Sequence, residues 1–181
     1  NCKTLTSLWR SKGTVNDLQR DVIALYHGLS HELPDRIDRS GIASVVTVHD
    51  LIFKRFPQYF GRVSRAIYGA KLRYACRVAD KIIAVSQHTK NDIVELLNIS
   101  PKKIDVIYQG CDAAFKTPCT PAQKQAVRKK YNITGDFVLS VGTIERRKNL
   151  LLIIKSLAMV KQPVKLVVIG RQTLYAEVVK K

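Results

Sequence analysis

The stretch FVLSVGTIERRKNLLLI (residues 137–153) runs from a short apolar, β-branched segment through Gly142 into three consecutive cations and then a second apolar run. The first segment has the length and composition of a buried strand. The second predicts a helix from about Asn149 to Val160, and VKLVVIG (164–170) supplies the next strand. A strand, a helix and a strand at this spacing make a β-α-β unit with an expected right-handed crossover. The chain therefore reads as α/β with parallel sheets.

The same alternation extends toward the N-terminus. DVIALYHG (21–28), ASVVTVHD (43–50), KIIAV (81–85) and IDVIY (104–108) read as further buried strands. Between Gly61 and Ala79 the apolar residues Val63, Ile67, Ala70, Tyr74 and Val78 recur at helical spacing, which predicts a surface helix burying that stripe. In SQHTKNDIVELL, Thr89 reads as an N-cap with Asp92 three residues on. Periodicity is lost in QGCDAAFKTPCTP, which carries Gly110, Pro118 and Pro121. A helix over PAQKQAVRKKYNI follows. The expected organisation is residues 1–109 as the later part of one domain, 110–121 as a linker and 122–181 as the first part of another.

Lys and Arg number 31 against 14 Asp and Glu, a formal charge of +17, which implies an anionic partner such as nucleic acid, an acidic lipid surface or a phosphorylated small molecule. Cys2, Cys76, Cys111 and Cys119 form no C-x-x-C pair, so neither a zinc site nor a disulfide framework is expected. No apolar run approaches the roughly 20 residues of a membrane span, and the expected setting is the cytoplasm. Because the chain opens on Asn1 and ends within a helical pattern, YAEVVKK, it reads as part of a longer reading frame.

In open parallel sheets, ligands bind beyond the carboxyl ends of the strands. That selects HGLSHELP, HDLIF and GTIERRKN. In the last, Arg146, Arg147 and Lys148 stand at an expected helix N-terminus, where the dipole favours acids. A phosphate would relieve the repulsion: Arg147 can fork two oxygens, Lys148 can act as a point charge, and Gly142 admits a close ligand. Neither G-x-x-x-x-G-K-[ST] nor G-x-G-x-x-G is present, which disfavours triphosphatases and ordinary dinucleotide enzymes. His49, at a strand end beside Asp50, suits contact with a sugar hydroxyl or a reacting centre. His27 and His31 have the spacing of helical metal ligands, but Gly28 and Pro34 place them in a loop, and no metal site is expected.

Together, SVVTVHDLIFKRFPQYF, CRVADKIIAVSQHTKNDIVELLNISPKKIDVIYQGCDAAF and FVLSVGTIERRKNL resemble glycosyltransferase family 4, the retaining enzymes of the GT-B fold, from about Asp21 to the end. The resemblance implies portions of two Rossmann-like domains, the first facing an acceptor and the second a nucleotide diphosphate sugar, which is a donor substrate rather than a cofactor. It implies His49 as the catalytic contact near the transferred sugar, with His27 and Asp50 as candidate acceptor or sugar contacts. Gly142, Thr143, Arg147, Lys148 and Asn149 fall on the donor diphosphate loop, and no metal is required. The chain departs from the family pattern at Arg146, where proline is usual, and at Thr143, where many relatives have arginine. The family's glycine-rich N-terminal loop and its E-x7-E pair do not occur in this sequence.

The implied reaction is hexosyl transfer to a glycan or lipid-linked acceptor in polysaccharide biosynthesis, at or near the inner face of the membrane. A GT-B sugar-nucleotide epimerase is the alternative within the fold. A basic nucleic-acid-binding module is the alternative outside it, disfavoured because the cations are dispersed and no recognition helix or stacking platform is present. Anionic lipid is a third use of the charge, with Lys54, Arg55, Arg62, Arg65, Lys71 and Arg73 as its residues. The 181-residue chain alone is expected to lack appreciable transferase activity; turnover of a nucleotide sugar by the purified chain, followed by release of nucleoside diphosphate, would refute this.

Overall fold

The computed structural model describes residue 9 and residues 13–180; Asn1 and Cys2 lie outside the described residues. The chain divides into two compact units, the first ending at Gly110 and the second starting at Cys111. Both are built on parallel sheets.

In the first unit, strands β1 (Leu25–Gly28), β2 (Ala43–Val48), β3 (Lys81–Ala84) and β4 (Ile104–Val106) lie side by side in chain order, all parallel. Alternation along β2 sends Ser44, Val46 and Val48 into the core. They meet Ile82 and Ala84 of β3, Ile104 of β4, and Leu72, Ala75 and Cys76 of the helix between β2 and β3, all essentially inaccessible to water. Burial pushes the Cys76 thiol up to about 12, so it is a packing group and not a nucleophile.

β1 is half the length its apolar run suggests. Helix α1 (Thr14–Arg20) closes through bonds from the Asp21 N–H to the Asp17 carbonyl and from the Ile23 N–H to the Leu18 carbonyl. These hold Asp21–Ile23 in the helix end, with Val22 in the left-handed region. Only the second half of the run is free to pair.

After β2 come a one-turn helix α2 (Ile52–Arg55) and the long helix α3 (Arg62–Val78). The buried residues of α3 are Gly69, Leu72, Ala75 and Cys76, not the expected stripe. Val63 is 73% and Ile67 52% exposed. Tyr74 does pack, but against the 34–38 loop, where its hydroxyl accepts the Arg36 N–H at 2.7 Å. The helix thus has two apolar faces. One face puts Leu72, Ala75 and Cys76 into the core and sets Gly69 against Phe53 of α2, and the other is uncovered in its first two turns.

Helix α4 (Gln87–Leu97) is capped by Ser86, not Thr89: the Ser86 hydroxyl accepts the Thr89 N–H at 3.0 Å. Thr89 is buried one turn in, and its hydroxyl donates to the His49 carbonyl at 3.1 Å. Arg55 bridges α2 to α4, donating Nε to Asp92 at 2.9 Å and Nη1 to Glu95 at 3.0 Å. These bonds raise the Arg55 pKa and hold the Glu95 carboxyl below its ordinary range.

The second unit pairs β5 (Phe137–Val141) with β6 (Lys165–Ile169) in parallel, with α6 (Leu150–Leu157) between them. It is preceded by α5 (Pro121–Lys130), which a reciprocal Thr120–Gln123 capping box starts, and followed by α7 (Tyr175–Lys180). Of its described residues, only Leu150 and Ala176 are buried.

Gly28 ends β1 under the returning loop: a Cβ there would lie 2.2 Å from the Glu32 carbonyl oxygen, a backbone atom that cannot swing aside. Gly28→Ala is expected to cost about 1–3 kcal/mol through forced displacement of that loop. Gly110→Ala, with nothing within 4 Å of the new methyl, should leave the melting temperature unchanged. Thermal unfolding of the two variants checks the contrast.

Candidate anion-binding and catalytic loops

In the first unit, three loops meet at the carboxyl edge of the sheet. The loop after β1 turns back at His31, whose φ of 63° is left-handed. Its backbone N–H donates to the Thr47 carbonyl at 3.0 Å, which lays the loop along β2. The His31 ring then accepts at Nε2 the backbone N–H of His49, 2.7 Å away, with the Asp50 N–H at 3.4 Å.

An acceptor at Nε2 must be unprotonated, so His31 is neutral with its proton on Nδ1. Burial lowers its pKa, His49 lowers it further, and the carboxylates of Asp50 and Glu32 oppose the shift. His49 lies edge-on to this ring at 5.4 Å. Its Nε2 is 2.9 Å from the Leu29 carbonyl, which can only accept, so Nε2 carries a proton and Nδ1 is the remaining position for a second interaction.

His49 is therefore held from three sides: by His31 at its N–H, by Leu29 at its ring, and by Thr89 at its carbonyl. His27 lies one strand over, with Nε2 2.8 Å from the Thr47 hydroxyl. Asp50 is exposed, and one of its oxygens accepts the Ile52 N–H at 3.1 Å and starts α2. The structure thus gathers His27, His49 and Asp50 at one sheet edge. Sequence reasoning weighed His31 only as a metal ligand; its place on a loop between two glycine- and proline-marked turns, not its spacing from His27, was the available signal.

In the second unit the loop after β5 has a different construction. Gly142 has a φ of 143°, which favours glycine, and its N–H donates to the Ile169 carbonyl at 2.8 Å. At the end of β6, a Cβ on Gly170 would fall 1.9 Å from the Gly142 carbonyl oxygen. Two glycines therefore let two strand ends close on each other. An Ile144–Gln172 bridge continues the contact, and Thr173 anchors it by donating its hydroxyl to the Ile144 carbonyl at 2.5 Å.

Arg146–Lys148 form a single 3-10 turn, and Asn149, at a φ of 54°, separates it from α6. The cations precede the helix by one turn and do not occupy its first positions. Arg147 donates to Glu145 at 2.5 Å. The Lys148 stem passes near Gly142, its Cε 4.0 Å from where a Cβ would stand. Among the described residues, Arg146 and Lys148 form no ion pair, so one acid leaves two of the three cations uncompensated. Glu145 was missed as a partner. The 3-10 turn that starts at Arg146 folds Arg147 back beside it, a local geometry that no sequence pattern signalled.

The profile of Glycosyltransferase Family 4 matches residues 2–115. An O-antigen chain mannosyltransferase B of Escherichia coli is 28% identical over 127 residues, covering 70% of this chain and 32% of its own length. A Campylobacter jejuni N-acetylgalactosaminyltransferase, named for an N-acetylgalactosamine-N,N'-diacetylbacillosaminyl-diphospho-undecaprenol substrate, is 31% identical over 99 residues, 55% of this chain and 25% of its own. The chain thus spans about a third or less of these relatives. Among solved structures, Anabaena HepE in complex with UDP superposes with a TM-score of 0.64 at 18% identity, over 93% of this chain and 45% of its own. A Rickettsia africae glycosyltransferase gives 0.51 at 15% identity, over 91% and 51%. With the parallel α/β architecture above and the family profile covering more than half of its length, the chain belongs to glycosyltransferase family 4.

Proposed function

We propose that this chain supplies part of a retaining, metal-independent glycosyltransferase that moves a hexosyl unit from a nucleotide diphosphate sugar to a glycan or lipid-linked acceptor. The observation that carries the reading is the loop after β5: Glu145 aligns Arg147, Lys148 lies against Gly142, and two cations remain without a counter-charge. The relatives that bind UDP and act on a diphospho-undecaprenol substrate support it.

In the proposed reaction the bond from the anomeric carbon to the diphosphate oxygen breaks and a bond to an acceptor hydroxyl oxygen forms. The departing diphosphate gains negative charge as the bond breaks and then takes up the proton that the acceptor hydroxyl gives up. Cations already in place stabilise that charge more than the ground state and so lower the barrier. In this scheme Arg147 and Lys148 meet the diphosphate, with Gly142, Thr143 and Asn149 presenting backbone and polar groups alongside. His49 contacts the transferred sugar, and His27 and Asp50 lie toward acceptor or sugar. The expected setting is the cytoplasm, at the inner face of the membrane.

In a form of the protein that turns over donor, Lys148→Ala should lower kcat roughly a hundredfold, the usual loss for one electrostatic donor. Unchanged steady-state kinetics would remove Lys148 from the site.

His31 gives a second check. Its folded pKa lies below the ordinary 6.5, so the native state favours the neutral ring. The unfolded chain then binds more protons, and stability is complete above about pH 6.5 and is lost as pH falls through the folded pKa. His31→Asn, which tolerates the left-handed backbone, should flatten the decline in melting temperature between about pH 7 and pH 5.

A further inference from the structure

The ladder between β5 and β6 continues past the ends of both strands. The register that pairs Val141 with Ile169 returns three residues on in the Ile144–Gln172 bridge. Two backbone bonds carry it across the glycines, from the Gly142 N–H to the Ile169 carbonyl at 2.8 Å and from the Ile144 N–H to the Arg171 carbonyl at 2.9 Å. Thr143 and Arg171 are therefore opposite each other, one strand spacing apart, about 4.8 Å. The close contact of Gly170 with the Gly142 carbonyl preserves this rung, since a side chain at residue 170 would force the two loops apart.

The fold uses the residues that follow Arg171 and leaves Arg171 itself alone. Gln172 accepts the Lys180 ammonium at 3.0 Å, and Thr173 holds the Ile144 carbonyl. Arg171 is exposed, and among the described residues its guanidinium makes no ion pair or hydrogen bond. No acid of the second unit is left over for it. Glu145 takes Arg147 and Glu177 takes Lys180, while Asp112 starts a 3-10 turn and Asp136 precedes β5 at the opposite end of the sheet. Arg146 and Lys148 from one loop and Arg171 from the next thus stand without counter-charge at one end of a two-strand sheet. Like charges so placed repel, and an anion between the loops relieves the cost.

We propose that Arg171 is a further donor-binding residue, completing from the neighbouring strand the anion site that Arg147 and Lys148 form in the loop after β5. The inference rests on the donor reading and extends it to a residue outside GTIERRKN. Cations on two adjacent strand ends span more than one phosphate group, so the site favours a diphosphate over orthophosphate. A guanidinium reaching in from a second backbone segment also fixes the anion's orientation, because it can fork two oxygens.

Calorimetric titration of the 181-residue chain with inorganic pyrophosphate and with orthophosphate, at low salt, tests this. Pyrophosphate is expected to bind more tightly. Arg171→Gln should raise its Kd about tenfold, the usual worth of one charge-assisted hydrogen bond. The melting temperature should not change, because the side chain has no partner in the fold. Arg171→Lys keeps the charge, loses the fork and should fall between the two. Lys124→Gln removes the same charge from exposed α5 and should bind as the parent does. Thr143→Arg added to Arg171→Gln moves the guanidinium one strand across on the same rung and should restore most of the lost affinity. Weaker binding by Lys148→Gln beside unchanged binding by Arg171→Gln would remove Arg171 from the site and leave the donor reading standing. If the parent does not bind pyrophosphate, or neither variant weakens it, the donor reading fails and this inference with it. An equal loss in Lys124→Gln would reduce the effect to net charge and overturn the proposal, as would failure of Thr143→Arg to restore binding.

Discussion

The 2.7 Å hydrogen bond from the His49 N–H to the His31 ring is the constraint on which the first unit's sheet edge depends. A strand's last N–H would ordinarily find a neighbouring strand or water. Here a side chain from the preceding loop takes it, and can do so only because His31 adopts a left-handed backbone and Gly28 lets the loop fold back within reach of the Glu32 carbonyl. With the His49 N–H taken by His31, its carbonyl is taken by Thr89, and its ring is turned toward Leu29. The position of one imidazole is therefore determined by two segments far apart in sequence, the loop after β1 and helix α4.

The order and type of the strands were legible because parallel strands are written as continuous β-branched runs, and ASVVTVHD, KIIAV and FVLSVG are such runs, although the expected burial of the last is not met, with Leu139 and Val141 exposed. What competed with pairing was not. The first half of DVIALYHG closes a helix instead of extending β1, a choice made by carbonyls of Asp17 and Leu18 that no strand pattern contains. The first part of the stripe on α3, Val63 to Ala70, failed for a related reason, while Tyr74 and Val78 do pack. Periodicity counts apolar residues, and α3 carries two apolar faces; the core takes Leu72, Ala75 and Cys76 from one and packs Tyr74 and Val78 of the other at its edge, leaving Val63 and Ile67 exposed. Capping chemistry was visible, but Ser86 and Thr89 both offer hydroxyls, and only tertiary structure shows that Thr89 is occupied by His49. For the candidate site the strand-end rule located the loops. The partners of the side chains within them, His31 for His49 and Glu145 for Arg147, came from the fold.

The surplus of +17 looks uniform in composition and is not uniform in structure. Arg55 is a structural cation, tying α2 to the buried Asp92. Lys71 is neutralised by Glu32. Two groups of unpaired cations differ in setting: one stands beside apolar surface on α3, the other follows a strand end where Gly142 and Gly170 meet. The environment of each group argues for a different anion. A cation beside exposed valine and isoleucine gains from a partner that also covers hydrocarbon. A cation beside bare backbone gains from a compact anion that can approach N–H groups.

Glu145 makes the second case more specific. A carboxylate against Arg147 costs the loop part of its attraction for any anion, so on net charge alone it should be absent from an anion site. Its effect is on geometry: a guanidinium with one edge held by a carboxylate keeps its other N–H groups aimed in a fixed direction, whereas a free arginine must lose rotamer entropy when it binds. The two unpaired neighbours, Arg146 and Lys148, then supply the net attraction that Glu145 subtracts. Under the proposed donor reading the roles in RRK separate: one cation is oriented at the expense of charge, and two provide charge without orientation. That division would suit a reaction in which the leaving group's charge grows along the path, since an aligned donor needs no reorganisation at the moment it is required.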